Sequence, residues 1–205
     1  MTEPFQLRYS ATSPFVRKVM VVAMETGLAD RFERIGTNPW DAKTDLPKDN
    51  PLCKVPALKT PEGWLYDSLV ICEYLDSLHP GAKLFPPPGP ARWQALRHHA
   101  LADGAMDAAI LRRLESQRPE GQRSQGWMDR QKALVERVLD ALEKDAKTLV
   151  DLSDIGAITI AVMLGYLDFR FAADEWRKGR PRLAAWYGRV SQNASMLATV
   201  PKDPA

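Results

Sequence analysis

The sequence predicts a small α/β unit followed by an all-helical one. Two observations carry that prediction. Up to about residue 79 the apolar residues alternate between strand and helix periods, and beyond the proline-rich stretch at 80–91, which contains PPPGP, the pattern is helical throughout. The expected domains are therefore residues 1–79, a semi-rigid linker at 80–91, and a helical domain at 92–205.

The elements follow in order. FQLRYS (Phe5–Ser10) alternates apolar and polar and reads as a strand. From Pro14 the period changes: Phe15, Val19, Val22, Ala23 and Met24 recur at helical spacing, with Pro14 in the first turn and Gly27 as the stop. RFERI (Arg31–Ile35) is a second strand, and the Pro-, Asn-, Asp- and Lys-rich stretch to Leu52 reads as loop. Val55–Lys59 and Trp64–Tyr66 flank the turn Thr60-Pro61-Glu62-Gly63 and predict a hairpin. Asp67-Ser68 then opens a helix with Leu69, Cys72, Leu75 and Leu78 on one face. The order β-α-β, loop, β-β-α is that of a thioredoxin-like domain. Past the linker, Trp93–Arg113 and Gly126–Lys147 are long amphipathic runs. Asp154–Arg170 is apolar nearly all round, as a central buried helix should be, and Arg182–Val190 adds another.

Composition narrows the function. With 205 residues, 45% apolar and 26% charged, the chain can bury a sizeable core. A net charge of +2, mixed along the sequence, argues against a nucleic-acid partner. MTEPFQLRYS has no basic segment leading into an apolar run, and the stretch around Ile155–Leu167, interrupted by Thr159 and Gly165, reads as too short to span a bilayer. A cytoplasmic protein without a membrane partner is expected. Cys53 and Cys72 lack metal-ligand or redox-pair spacing and read as reduced packing residues; His79, His98 and His99 likewise suggest no metal.

Five segments carry a resemblance: SPFVRK after the first strand, NPLCKVPAL before the hairpin, LYDSLVICEYL after it, LADGAMDAAI in the first C-terminal helix, and DLSDIGAI opening the buried one. Together they resemble the cytosolic glutathione S-transferase family, across almost the whole chain, and bacterial members more than the animal classes. The resemblance implies glutathione as co-substrate, no metal, and a homodimer. Ser13 matches the position where several classes carry serine and glutaredoxin-like relatives carry cysteine, so it is the expected hydrogen-bond donor to the thiolate, with Ser10, Thr12 and Tyr9 as alternates. A strand running into a helix start places backbone N–H groups and the helix dipole there, which favours a thiolate. The alternative for Ser13 is a plain N-cap.

Val55-Pro56 resembles the family's cis-proline motif, which implies that Val55 pairs with the cysteinyl backbone of glutathione as an added strand would. Lys54 is a candidate for the glycyl carboxylate. Asp67 is expected to pair with the γ-glutamyl ammonium and Ser68 with its carboxylate; most relatives carry Glu or Gln before that serine, so the shorter Asp67 can call for a bridging water. Asp103 resembles an acid that some classes send across the dimer to the same ammonium. Phe15 adjoins the thiol position, although it and Trp40 read first as packing residues, and Arg17 and Lys18 as a solvated basic face. Met106, Ile110 and Arg113 are candidates for the wall facing a small hydrophobic electrophile. Asp151-Leu152-Ser153-Asp154 looks like the family's capping box, with Asp151 as the cap and Val150 and Ile155 as a hydrophobic staple.

The reaction expected is attack of the activated thiolate on an electrophile; isomerisation, dehalogenation or peroxide reduction would use the same thiol. The rival from another class is a non-enzymatic binding protein of the same fold, comparable to the stringent-starvation proteins. Disulfide exchange is disfavoured because no cysteine stands at the helix start.

Overall fold

A computed structural model describes residues 4–203, and these divide into two compact units. The first comprises the chain up to Phe85 together with the segment from Ala194 onward; the second is Pro86–Asn193.

In the first unit, β1 (Phe5–Tyr9), β2 (Phe32–Gly36), β3 (Ala57–Thr60) and β4 (Gly63–Leu65) form one sheet in the order β2-β1-β3-β4. β1 and β2 are parallel, with Phe5 opposite Phe32, and α1 (Pro14–Glu25) makes the crossover between them. β3 runs antiparallel to both β1 and β4, with Leu7 opposite Leu58 and Leu58 opposite Leu65. Leu7, Val19, Val21, Val22 and Leu58 have no exposed surface, and α2 (Ser68–Ser77) packs beside α1. The thioredoxin-like order is thus present, with a shift at its edge: the third strand starts at Ala57 rather than Val55. Pro56 has no N–H to give a ladder, and the Val55–Pro56 bond is cis.

A short helix absent from the sequence reading, α7 (Ala194–Ala198), packs against α1. Arg17 explains its place: the guanidinium donates to the Met196 carbonyl at 3.0 Å and to Thr199 Oγ1 at 3.3 Å. Arg17 and Lys18 are therefore buried, not a solvated basic face; Lys18 has no exposed surface, and its ammonium lies 5.6 Å from the Phe15 ring centre. The tail from Ala194 belongs with the first unit rather than with the helices before it.

The second unit holds α3 (Pro90–Ser116), α4 (Gln125–Asp145), α5 (Ile155–Phe171) and α6 (Pro181–Val190). α3 begins inside the expected linker, because Pro90 suits a first helical turn and Gly89 takes a backbone angle of φ +147°. α5 is buried at every position from Ile155 to Leu167 and packs chiefly on α3. By length and composition the run Ile155–Asp174 could cross a membrane, contrary to the reading that it is too short; 72% of its most apolar 18-residue window is buried within the unit, as a core helix is. Its cap is Asp154 rather than Asp151: Asp154 Oδ1 accepts from Ala157 N–H at 2.9 Å, whereas Asp151 accepts from Asn193 Nδ2 at 3.2 Å. Val150 is largely exposed, so no staple forms with Ile155. Trp40 is exposed as well and is not a packing residue.

Candidate functional site

The sheet brings three segments to one end of the first unit. Because β3 runs against β1 and β4, the chain leaving β1 after Tyr9, the chain entering β3 at Val55-Pro56, and the chain leaving β4 after Leu65 all emerge at the same edge. Arg8 opposite Ala57, and Leu58 opposite Leu65, fix that alignment.

The first segment is the entry to α1. Ser13 N–H donates to the Ser10 carbonyl at 3.2 Å, which closes a tight turn, and Ser13 then caps the helix with its Oγ accepting from Val16 N–H at 3.3 Å. That bond uses a lone pair of the hydroxyl and leaves its proton to donate elsewhere. The alternates stand beside it: Ser10 Oγ and Thr12 Oγ1 are 3.4 Å apart. Phe15 is half-buried one residue into the helix.

The second segment is a loop whose last residues precede β3. Asn50, almost wholly buried, donates from Nδ2 to the Lys54 carbonyl at 2.8 Å and accepts from Leu52 N–H at 3.0 Å. Cys53, held between them, has φ +51° and donates its N–H to the Asn50 carbonyl at 2.8 Å. Lys54 is exposed and Val55 is buried. Ahead of them, Arg8 of β1 reaches across to the loop: Nε donates to Asp49 Oδ2 at 2.7 Å, and Nη1 pairs with Asp45 at 2.9 Å. The Arg8 hydrogen bond, outweighing burial, holds the Asp45 carboxyl below its ordinary value. Sequence reading passed over Arg8, Asp49 and Asn50. The available signal was a cation within a short strand, followed in the sequence by a loop that carries Asp45, Asp49 and Asn50.

The third segment opens α2. Asp67 caps it, Oδ1 accepting from Leu69 N–H at 3.0 Å; its side chain is exposed and Ser68 is buried. The peptide bond between Tyr66 and Asp67 is cis.

The remaining candidates lie in the second unit. Asp103 pairs with His99 one turn away, at 3.5 Å, so it is not a simple solvated charge. Ile110 and Arg113 are half-buried on α3. Met106 has no exposed surface and is packing, so its side chain offers nothing to an electrophile. His98 pairs with Asp145 at 3.2 Å, and in the first unit His79 pairs with Asp76 at 3.0 Å. Among the described residues no group of three or more His, Cys, Asp or Glu is placed to hold a metal, and both cysteines are free thiols.

A thioredoxin-like sheet with two capped helix starts and a cis-proline loop at one end, followed by a helical unit, is the architecture of the glutathione S-transferase fold. Residues 12–78 match the glutathione S-transferase N-terminal domain and residues 125–189 its C-terminal domain. The chain belongs to the glutathione S-transferase family. It is 36% identical over 197 residues to the uncharacterised GST-like protein YibF of Escherichia coli K12, covering 94% of this chain and 96% of that protein. A glutathione transferase family member of Pseudomonas fluorescens Pf-5, solved with bound glutathione, is 44% identical with a TM-score of 0.88, over 97% of this chain and 100% of that one. A glutathione S-transferase of Methylobacillus flagellatus KT, also solved with glutathione bound, is 36% identical with a TM-score of 0.90 over the same shares of the two chains.

Proposed function

We propose that this protein is a glutathione transferase that binds glutathione at the sheet edge of its first unit and activates the thiol for attack on a small electrophile. The observation that carries the reading is the convergence of Ser13, Val55-Pro56 and Asp67-Ser68 at one end of the sheet. Support also comes from the two similar transferases that hold glutathione. Asp67 keeps an exposed carboxylate for the γ-glutamyl ammonium beyond the lone pair its cap uses, and Val55 offers backbone groups for strand-like pairing with the cysteinyl residue. Lys54 takes the glycyl carboxylate, and Ser68 the γ-glutamyl carboxylate.

Activation follows from electrostatics. A thiol of pKa about 8.5 is only about 3% ionised at neutral pH, and lowering that pKa by roughly two units takes about 2.7 kcal/mol. The start of α1 supplies up to about 2 kcal/mol, and a hydroxyl hydrogen bond to the charged sulfur about 1.5 more, so the two together suffice and neither does alone. Ser13 donates that bond; it does not attack. Ile110 and Arg113 are the proposed electrophile contacts. The reading includes a cytoplasmic homodimer in which Asp103 serves the ammonium held by the other copy.

One observation favours the binding-protein alternative: Ser13 already has a structural task, its Oγ accepting from Val16 N–H as the cap of α1, although its proton stays available to donate. Calorimetric titration separates the two, with a Kd below the millimolar range expected, and no heat at millimolar glutathione sinking the transferase reading. In Ser13→Ala the ultraviolet titration of the bound thiol should move upward by about one unit, the scale of one hydrogen bond to a charged sulfur. An unchanged titration passes the role to Ser10 or Thr12.

A further inference from the structure

The polar groups behind the Lys54–Val55 segment form a continuous tether. Arg8 stands on β1, the strand at the centre of the sheet's alignment, yet its guanidinium is turned to the loop and shields almost all of its surface there. Three of its nitrogens meet carboxylates: Nε and Nη2 share Asp49, the latter at 2.5 Å, and Nη1 takes Asp45. Asp49 is the more buried acid, with 16% of its side chain accessible against 56% for Asp45. The backbone passes directly from Asp49 to Asn50, whose N–H donates to the Leu46 carbonyl at 2.9 Å, with Leu46 wholly buried beneath. Asn50 in turn grips the Lys54 carbonyl at 2.8 Å. From β1 to the residue before Val55 the links run in series: two Arg8 nitrogens on Asp49, the peptide bond from Asp49 to Asn50, and one Asn50 side-chain hydrogen bond to the Lys54 carbonyl.

We propose that Arg8 is a positioning residue for glutathione, holding the Lys54–Val55 backbone in its binding geometry through Asp49 and Asn50. This rests on the glutathione-binding reading above and deepens it. A planar fork fixed on two carboxylates sets direction as well as distance, which a point charge cannot. Because Val55 receives its ligand through backbone groups, an error in this segment cannot be corrected by a side-chain rotamer. The tether moves the cost of ordering the segment from ligand binding to folding.

Arg8→Met, Arg8→Lys and Asp49→Asn test this in the full chain, with Asp154→Ala in the second unit as a control for lost stability. Calorimetry with glutathione should show Kd raised about tenfold in Arg8→Met, the scale of ordering one backbone residue, with Arg8→Lys intermediate. Hydrogen exchange should quicken at the Cys53 amide while the β1–β2 amides keep their protection. The double variant Arg8→Met/Asp49→Leu should bind no worse than Arg8→Met, since both act through one link. Wild-type affinity in Arg8→Met overturns the proposal, as does loss of affinity with β1–β2 exchange accelerated equally, since Arg8 is then merely structural. Loss of affinity in the Asp154→Ala control equal to that in Arg8→Met overturns it as well. If the wild-type protein itself gives no heat with glutathione, the binding reading fails, and the Cys53 exchange rate still decides whether Arg8 orders the segment.

Discussion

Two helix starts in this protein use the same chemistry to different ends. At the start of α2, Asp67 Oδ1 accepts from a backbone N–H at 3.0 Å; at the start of α5, Asp154 Oδ1 does so at 2.9 Å. An ionised carboxylate offers about four lone-pair sites, and a cap uses one. The Asp67 side chain stands exposed, with its remaining sites turned outward. Asp154 adjoins Gly156, where an added Cβ would lie 2.5 Å from the Ala95 carbonyl oxygen, 2.7 Å from His98 Cβ and 3.0 Å from Asp154 Oδ1. Equal caps therefore differ in access: Asp67 is exposed, and Asp154 is half-buried beside Gly156, where α3 lies against the start of α5. Cap geometry alone does not tell which of the two carboxylates is accessible.

The contrast can be broken by substitution. The largest effect should come from Gly156→Ala, because its nearest neighbours are backbone and Cβ atoms that cannot swing aside. Overpacking of this kind costs about 2–3 kcal/mol, or roughly 5–10 °C in Tm for a chain of this length, and calorimetric melting reads it directly. Glutathione affinity of the folded variant should stay at the wild-type value; a fall would mean that the α5 start also serves the ligand. Asp67→Ala should do the reverse. Losing a charged hydrogen bond should raise Kd roughly ten- to a hundredfold by titration, while Tm falls only by the loss of a cap. Asp154→Ala should lower stability by about 1 kcal/mol in chemical denaturation and leave Kd alone.

A smaller effect is read by pH. In the second unit, burial raises the Asp145 carboxyl, but hydrogen bonds from Arg97 at 2.7 Å and His98 at 3.2 Å outweigh it and hold the group below its ordinary value. Asp174 behaves alike, burial being outweighed there by Arg112 and Lys132. A carboxyl lowered by folding adds stability that is complete above its unfolded value and is lost as pH falls through the folded one. Asp145→Asn should thus reduce stability at neutral pH and flatten the acid limb of the denaturation curve. An acid limb of unchanged slope would assign that lability to other carboxyls.

Much of this was legible in the sequence. The strand and helix periods, the turn at Pro61-Glu62 and the Pro-rich break specify the element order, since each is local. The cis bond at Val55-Pro56 and the cap at Asp67 were legible because each is set by adjacent residues. Arg8, Asp49 and Asn50 were not, since the Arg8–Asp49 contact spans 41 positions and no periodicity reports it. Lys18 was misread for the same reason: its surroundings are set by packing of the fold, not by its own helix turn. The cap at Asp154 was displaced by three residues because Asp151 and Asp154 have equal intrinsic preference, and the distinction lies in which one Asn193 occupies.

The place of α7 bears on how this protein can be taken apart. A gene cut after residue 85 would supply the sheet, α1 and α2, yet leave Arg17 without the Met196 carbonyl and the Thr199 hydroxyl that it meets in the intact chain. The first unit is written in two pieces, one on either side of the second unit. Expressing it alone calls for a splice that joins residue 85 to residue 194 through a designed connector, or for co-expression of the tail. A ribosome reading this message completes the second unit before the last helix of the first has been made.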